Sequence, residues 1–334
     1  MISSPLTPES ILQAQQRISG YLHRTPLVHS QTLSQHLGAE VYLKLECLQK
    51  TGSFKPRGAF NKMLTLTSAE KAAGVVATSG GNHAQGVAYA ASLLGVQATI
   101  CMPSVTPANY VNATRDYGAQ VILCDGQPGA HAEALRLQAQ GKIFVPPFDD
   151  ILVAAGQGTI GLEILEELPG VSRIYISIGG GGLISGIATV MKAALPELRI
   201  FGVETRGAES MAKSVEARKL IELPAVTSIA RTLGAPIVSS MTLAIVQELV
   251  EQIIVVDDAA AVQSLVYLLE RTKLLTEPAA ACCLTAAETH RGTFAPDEKI
   301  VLLLCGGNIA ISDLFDYCHQ FPVSAPSDGV ETNR

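Results

Sequence analysis

Lys55 lies in Ser53-Phe54-Lys55-Pro56-Arg57-Gly58-Ala59, a turn that runs into a helix-forming stretch. Pro56 suits a first helical position, where a backbone N–H would be unpaired anyway. The residue ahead of a proline is pushed out of the helical region. Lys55 is therefore expected at a helix entrance rather than on its side. An amine placed there can approach a bound molecule closely and form an imine with an aldehyde cofactor. A lone lysine in a turn is ordinarily a solvated cation, so three further loops decide the matter.

Gly179-Gly180-Gly181-Gly182 follows a strand-like run and precedes a helix-like one, with Leu183 next. Glycine is entropically costly, and four in a row suit a loop whose N–H groups must reach an anion at a helix N-terminus. A flexible turn is the plainer alternative. No Lys-Ser/Thr follows, so the run is not a P-loop, and the G-x-G-x-x-G frame fails at its last position. Glu204 closes the next strand as a ribose-binding acid would, which keeps a nicotinamide oxidoreductase open, as well as a non-catalytic phosphate-binding protein. Ser79-Gly80-Gly81-Asn82-His83 also precedes a helix and could hold a carboxylate; capping by Asn82 and a solvated His83 would explain it more simply. Cys305-Gly306-Gly307-Asn308 ends a very apolar strand, which aims Cys305 at the same crevice unless it is only a core thiol.

These loops need a scaffold, and the chain supplies a regular alternation. Strands are expected at 41–45, 75–77, 98–101, 121–123, 143–145, 174–178, 199–203, 253–256 and 300–304, with helices between them, including 83–94, 259–271 and 278–289. Short apolar strands alternating with helices imply parallel βαβ units covered on both faces, hence an α/β fold. In such sheets ligands bind beyond the carboxyl ends of the strands, where all three loops fall. Residues 145–152 are the expected crossing between two lobes, which divides the chain into 1–50 with 150–320 and 51–149. The polar tail 321–334 is expected to be flexible.

Composition narrows the function. With 334 residues, 16% charged and a net charge of -6, the chain can bury a large core and lacks the basic block of a nucleic-acid binder. No signal peptide is visible at the start. The uncharged stretch 174–191 approaches membrane-spanning length, but its glycines favour a strand, a loop and a helix. Seven cysteines without C-x-x-C spacing argue against a disulfide framework or zinc site and for a reducing, cytoplasmic setting.

Taken in order, the Lys55 motif, Ser79–Gly86, Gly156-Gln157-Gly158-Thr159, Gly179–Gly182, Glu277-Pro278-Ala279 and Cys305–Asn308 resemble the fold-type II pyridoxal-phosphate enzymes. The fold implied is that of the tryptophan synthase β-like group: two open α/β domains with mainly parallel sheets. More narrowly, the chain resembles the threonine/serine dehydratase and serine racemase family from about Ile11 to Asp313. The resemblance implies that Lys55 carries the cofactor, Phe54 packs beside its ring, and Gly179, Gly180, Gly181, Gly182 and Leu183 hold its phosphate. Asn82 then bonds the 3′-oxygen, Cys305 faces the pyridine nitrogen, and Ser79, Gly80, Gly81, Asn82 and His83 bind the substrate carboxylate. The activity implied is β-elimination from L-threonine or L-serine to a 2-oxo acid and ammonia, with 3-hydroxyaspartate or 3-phenylserine as other substrates. A homodimer is the family expectation.

Three departures carry weight. Gly80 stands where serine racemases carry a serine on the face opposite the lysine, which disfavours racemisation and leaves Lys55 as the proton carrier at Cα. The family's Ala-Asp-Gly reads Ala230-Arg231-Thr232, so Arg231 brings an extra cation to the site. Glu204, Ala208 and Ser210 match the divalent-cation site of some members, with Ser210 replacing an acid, which weakens a hard-cation site.

Overall fold

The computed structural model describes residues 6–322, so the end of the tail expected to be flexible, from 323 on, lies outside the described residues. Among the described residues ten strands form two sheets. They are β1 (Leu27–His29), β2 (Glu40–Lys44), β3 (Val75–Thr78), β4 (Ala98–Pro103), β5 (Gln120–Cys124), β6 (Ile143–Phe144), β7 (Val171–Ser177), β8 (Arg199–Thr205), β9 (Gln252–Val256) and β10 (Lys299–Leu303). The larger sheet runs β1-β2-β10-β7-β8-β9 and the smaller β5-β4-β3-β6. Every pairing is parallel except that of the edge strand β1 with β2.

Burial explains the parallel arrangement. β3 is buried at all four positions and β10 at its last four, as expected where helices cover both faces of a sheet. The expected strands are all present, with ends that differ by up to three residues. β1 was not anticipated: three half-exposed residues, Leu-Val-His, carry no alternation to detect, and the strand exists because β2 offers it an edge. The uncharged stretch from Ile174 resolves into β7, the glycine loop and the helix Gly182–Ala194. Among the described residues no helix is long and apolar enough to cross a membrane.

Helix ends follow local chemistry. The first helix, Pro8–Ile18, begins at Thr7 with a capping box to Ser10. The Lys55–Leu64 helix has Lys55 as its first residue and Pro56 as its second, with Phe54 at the cap, so Lys55 is inside the helix rather than just before it. A tertiary tether accounts for the shift. The Phe54 N–H donates to Cys305 O at 3.1 Å, and Ser53 bridges Gly306, so the chain turns at Phe54. After β6 the chain leaves the smaller sheet and enters the Ile151–Glu167 helix, which packs between the Lys55–Leu64 and Gly182–Ala194 helices. Glycines permit that close packing: a Cβ at Gly156 would lie 2.5 Å from Arg57 O, and one at Gly186 2.2 Å from Ala154 O.

Candidate active site

The tether that starts the Lys55 helix also places Lys55 over the end of β10. Gly307 N–H donates to Gly52 O at 2.9 Å, so residues 52–54 and 305–307 run side by side. The helix Asn82–Leu94 closes the other flank, since a Cβ at Gly86 would sit 3.1 Å from the Lys55 backbone. Lys55 Nζ donates to Pro147 O at 2.8 Å and lies 5.0 Å from the centre of the Phe54 ring. The residue as a whole is half-buried, but its amine end is enclosed. Burial lowers its pKa to about 8, against the pull of Cys305 and Glu277, so a free, nucleophilic amine is within reach near neutral pH.

The glycine loop faces this amine region through the crossing segment. Gly181 has φ +91°, a left-handed conformation that favours glycine. A Cβ at Gly180 would lie 2.0 Å from the Phe148 ring, and one at Gly182 3.0 Å from the Phe148 backbone. The Gly182–Ala194 helix then presents its first N–H groups, which have no partner within the helix. Leu183 is buried behind them.

Asn82 is held from both ends. Its Nδ2 donates to Glu277 Oε1 at 2.8 Å and its Oδ1 accepts from Asn308 Nδ2 at 2.8 Å. Asn308 is anchored in turn to Thr51 O at 2.7 Å. A Cβ at Gly306 would stand 2.5 Å from Glu277 Oε1, so that glycine leaves room for the pair. Burial raises the Glu277 pKa to about 7, opposed by the nearby Thr232 hydroxyl, by the Asn82 hydrogen bond and by Lys55, and its Oε2 is buried without a hydrogen-bond partner among the described residues. His83 is also buried. Its Nε2 must donate to Val145 O at 2.8 Å, which leaves Nδ1 an unpartnered acceptor; burial first, then Lys55, lowers its pKa to about 3 and keeps it neutral. Ser79 Oγ accepts from Gly81 N–H at 3.1 Å. Cys305 is buried, accepts from Ser177 Oγ at 3.2 Å, and burial pushes its thiol well up, so it stays protonated.

The metal positions are organised differently. Glu204 accepts from the N–H groups of Met211 and Ala212 at 2.9 and 2.7 Å, and Ser210 Oγ donates to Ala235 O at 2.8 Å. Ala208 lies in the turn between them, its N–H donating to Thr205 O. The helix Ser210–Ala217 thus holds both oxygens of Glu204, burial raises its pKa to about 8, and Ser210 brings no second carboxylate, so the residues do not fit a divalent cation. Among the described residues no group of three or more His, Cys, Asp or Glu side chains converges. Glu204 is also fully buried against that helix, away from a ribose-binding position. Arg231 is largely exposed and 3.8 Å from Asp313, which partly neutralises it. Phe148, Pro147 and Thr106 line the site with no motif to mark them, and Thr232 joins them from the Ala230-Arg231-Thr232 segment. Each comes close only through folding, although the strictness of the glycine run hinted that something large packs on it.

Two mainly parallel sheets with an enclosed amine and a glycine-lined helix N-terminus at their carboxyl edges define a fold-type II pyridoxal-phosphate enzyme. The residues fit the cofactor: the cradle admits no Cβ, the amine is desolvated, and buried acceptors await partners. The chain belongs to the pyridoxal-phosphate dependent enzyme family, whose pattern it matches over residues 18–306. It is 45% identical over 313 residues to an L-threonine ammonia-lyase of Geobacter sulfurreducens, covering 92% of this chain and 77% of that one. It is 39% identical over 317 residues to a serine racemase of Oryza sativa, covering 93% of each. The structure of maize serine racemase superposes with a TM-score of 0.89 at 37% identity, covering 94% of this chain and 97% of the other.

Proposed function

We propose that the chain is an ammonia-lyase that removes the β-hydroxyl and the amine of L-threonine or L-serine, yielding a 2-oxo acid and ammonia. The observation that carries this reading is the enclosed Lys55 amine, with its pKa lowered to about 8, set at a helix entrance beside the glycine cradle. Pyridoxal phosphate supplies, when bound, the electron sink that makes an amino acid's Cα proton removable. Lys55 would hold the cofactor, be freed when the substrate's amine takes its place, and then accept the Cα proton. Gly179–Gly182 and Leu183 would hold the phosphate, Phe54 would pack beside the ring, and Asn82, fixed by Glu277 and Asn308, would bond the 3′-oxygen. The Ser79–His83 loop binds the substrate carboxylate. Cys305 faces the ring nitrogen as a neutral thiol, a weak donor, which favours prompt loss of the β-substituent.

Gly80 offers no acid opposite Lys55, so racemisation is not favoured. Asp313 beside Arg231 weighs against a strongly acidic β-substituent. The two sheets support lobes of 1–50 with 150–320 and 51–149. The seven free cysteines support a cytoplasmic setting, and a homodimer belongs to the same reading.

The purified protein should show a visible imine band that borohydride fixes on Lys55, and Lys55→Ala should abolish it. Release of 2-oxo acid from serine, threonine, 3-hydroxyaspartate and 3-phenylserine should rank the first two highest. A protein that gains no band with added cofactor refutes the assignment.

A further inference from the structure

The space beside Gly80 is already taken. An ideal Cβ at Gly80 would lie 2.5 Å from Thr106 Oγ1, 3.4 Å from its Cγ2 and 3.5 Å from its Cβ. Thr106 is fixed in the turn after β4: its N–H donates to Pro103 O at 2.9 Å, and Pro107 caps the next helix. Its hydroxyl has no hydrogen-bond partner among the described residues, and it is half-buried at the edge of the Ser79–His83 loop. Any side chain at position 80 would have to turn that hydroxyl away, and a β-branched threonine has few rotamers in which to do so. The hydroxyl that serine racemases bring from position 80 has a counterpart here that comes from position 106.

A bound β-hydroxy amino acid has three polar groups. Its amine goes to the cofactor and its carboxylate to the N-terminus of the Asn82–Leu94 helix with Ser79. The β-hydroxyl still needs a partner. We propose that Thr106 is a specificity-determining residue whose hydroxyl hydrogen-bonds the substrate's β-hydroxyl, and that Gly80 lacks a side chain to leave it room. This rests on the ammonia-lyase reading.

The test uses the holoenzyme and four variants: Thr106→Val, Thr106→Ser, Gly80→Ala, and Gly80→Ala with Thr106→Val. Each is assayed for elimination from L-serine and from 3-chloro-L-alanine, whose leaving group has no hydroxyl. Thr106→Val and Gly80→Ala should each lower kcat/KM for L-serine about tenfold, the size of one lost hydrogen bond to substrate. Because both remove the same contact, the double variant should lose no more than the worse single one. Thr106→Ser should stay within about threefold of wild type, and in the two Thr106 single variants 3-chloro-L-alanine should change less than about twofold. An unchanged visible band and unfolding midpoint separate these effects from misfolding. Additive losses, an equal loss for 3-chloro-L-alanine in Thr106→Val, or an unaffected Thr106→Val with L-serine would each overturn the inference while leaving the cofactor assignment intact. A wild-type protein without the imine band would remove both.

Discussion

Arg57 stands two residues beyond Lys55 and is the hub of a buried charge network. Its Nε and Nη2 donate to the two oxygens of Glu46 at 2.8 Å each; Nη1 and Nη2 donate to those of Glu163 at 2.6 and 3.0 Å; Nη1 also reaches Thr159. Lys44 Nζ donates to Glu163 at 2.6 Å and to Thr25 O. Lys44 and Glu46 are fully buried and Arg57 is 2% exposed. Two cations face two carboxylates, so the cluster is neutral. Arg57→Met leaves Lys44 alone with two carboxylates, and removing one partner of a buried pair costs about 3–5 kcal/mol. Removing Glu46 as well, in Arg57→Met with Glu46→Leu, restores neutrality and should recover much of that loss, since apolar replacement of a whole buried pair is often neutral. Urea unfolding of the three proteins at pH 7 measures both quantities. The pH dependence is a second check. Burial pushes the Glu163 pKa up, but Arg57 and Lys44 more than offset this and hold it below the usual carboxylate value. Its stabilisation is therefore complete above the unfolded pKa of about 4.3 and is lost as pH falls through the lower folded value. The difference between wild type and Arg57→Met should shrink in acid. A single-variant loss under about 1 kcal/mol, or a double variant no better than the single, would refute the reasoning from buried charge balance.

Other outcomes follow from the same geometry. Glu277 has its pKa raised to about 7, so the folded chain keeps a proton that the unfolded chain releases near 4.3, and stability should fall as pH rises through that window by up to ~4 kcal/mol. Glu277→Gln keeps the acceptor for Asn82, and urea midpoints measured from pH 4 to 8 should lose that fall; an unchanged slope would exclude Glu277 as its source. In Gly180→Ala the new Cβ meets the Phe148 ring, so dialysed protein should retain less cofactor by absorbance, and Phe148→Ala in the same background should restore part of it. Because Glu204 already accepts two backbone N–H groups, chelation with EDTA should leave both activity and the unfolding midpoint unchanged. A loss reversed by Mg²⁺ would show that the carboxylate gives up those bonds.

What was legible in the sequence was whatever leaves a local mark. The apolar runs of β7 and β10 stand out because a strand buried on both faces must be apolar at nearly every position. Pro56 marks a helix start, and Gly179–Gly182 marks a loop from which side chains are excluded. What was not legible depends on distant partners. Lys44, Glu46, Arg57 and Glu163 look like four unrelated surface charges until folding buries them together. Phe148 and Thr106 carry no motif at all. Gly80 shows the difference most clearly: a glycine records that a side chain is forbidden there but not what forbids it. By comparison with racemases, Gly80 reads as a missing serine and hence as an absent hydroxyl. In the fold, the volume beside it holds the hydroxyl of Thr106. Lys55 remains the base at Cα in this reading, but the pocket wall at Gly80 is polar, and that polarity comes from a turn that sequence position alone would place elsewhere.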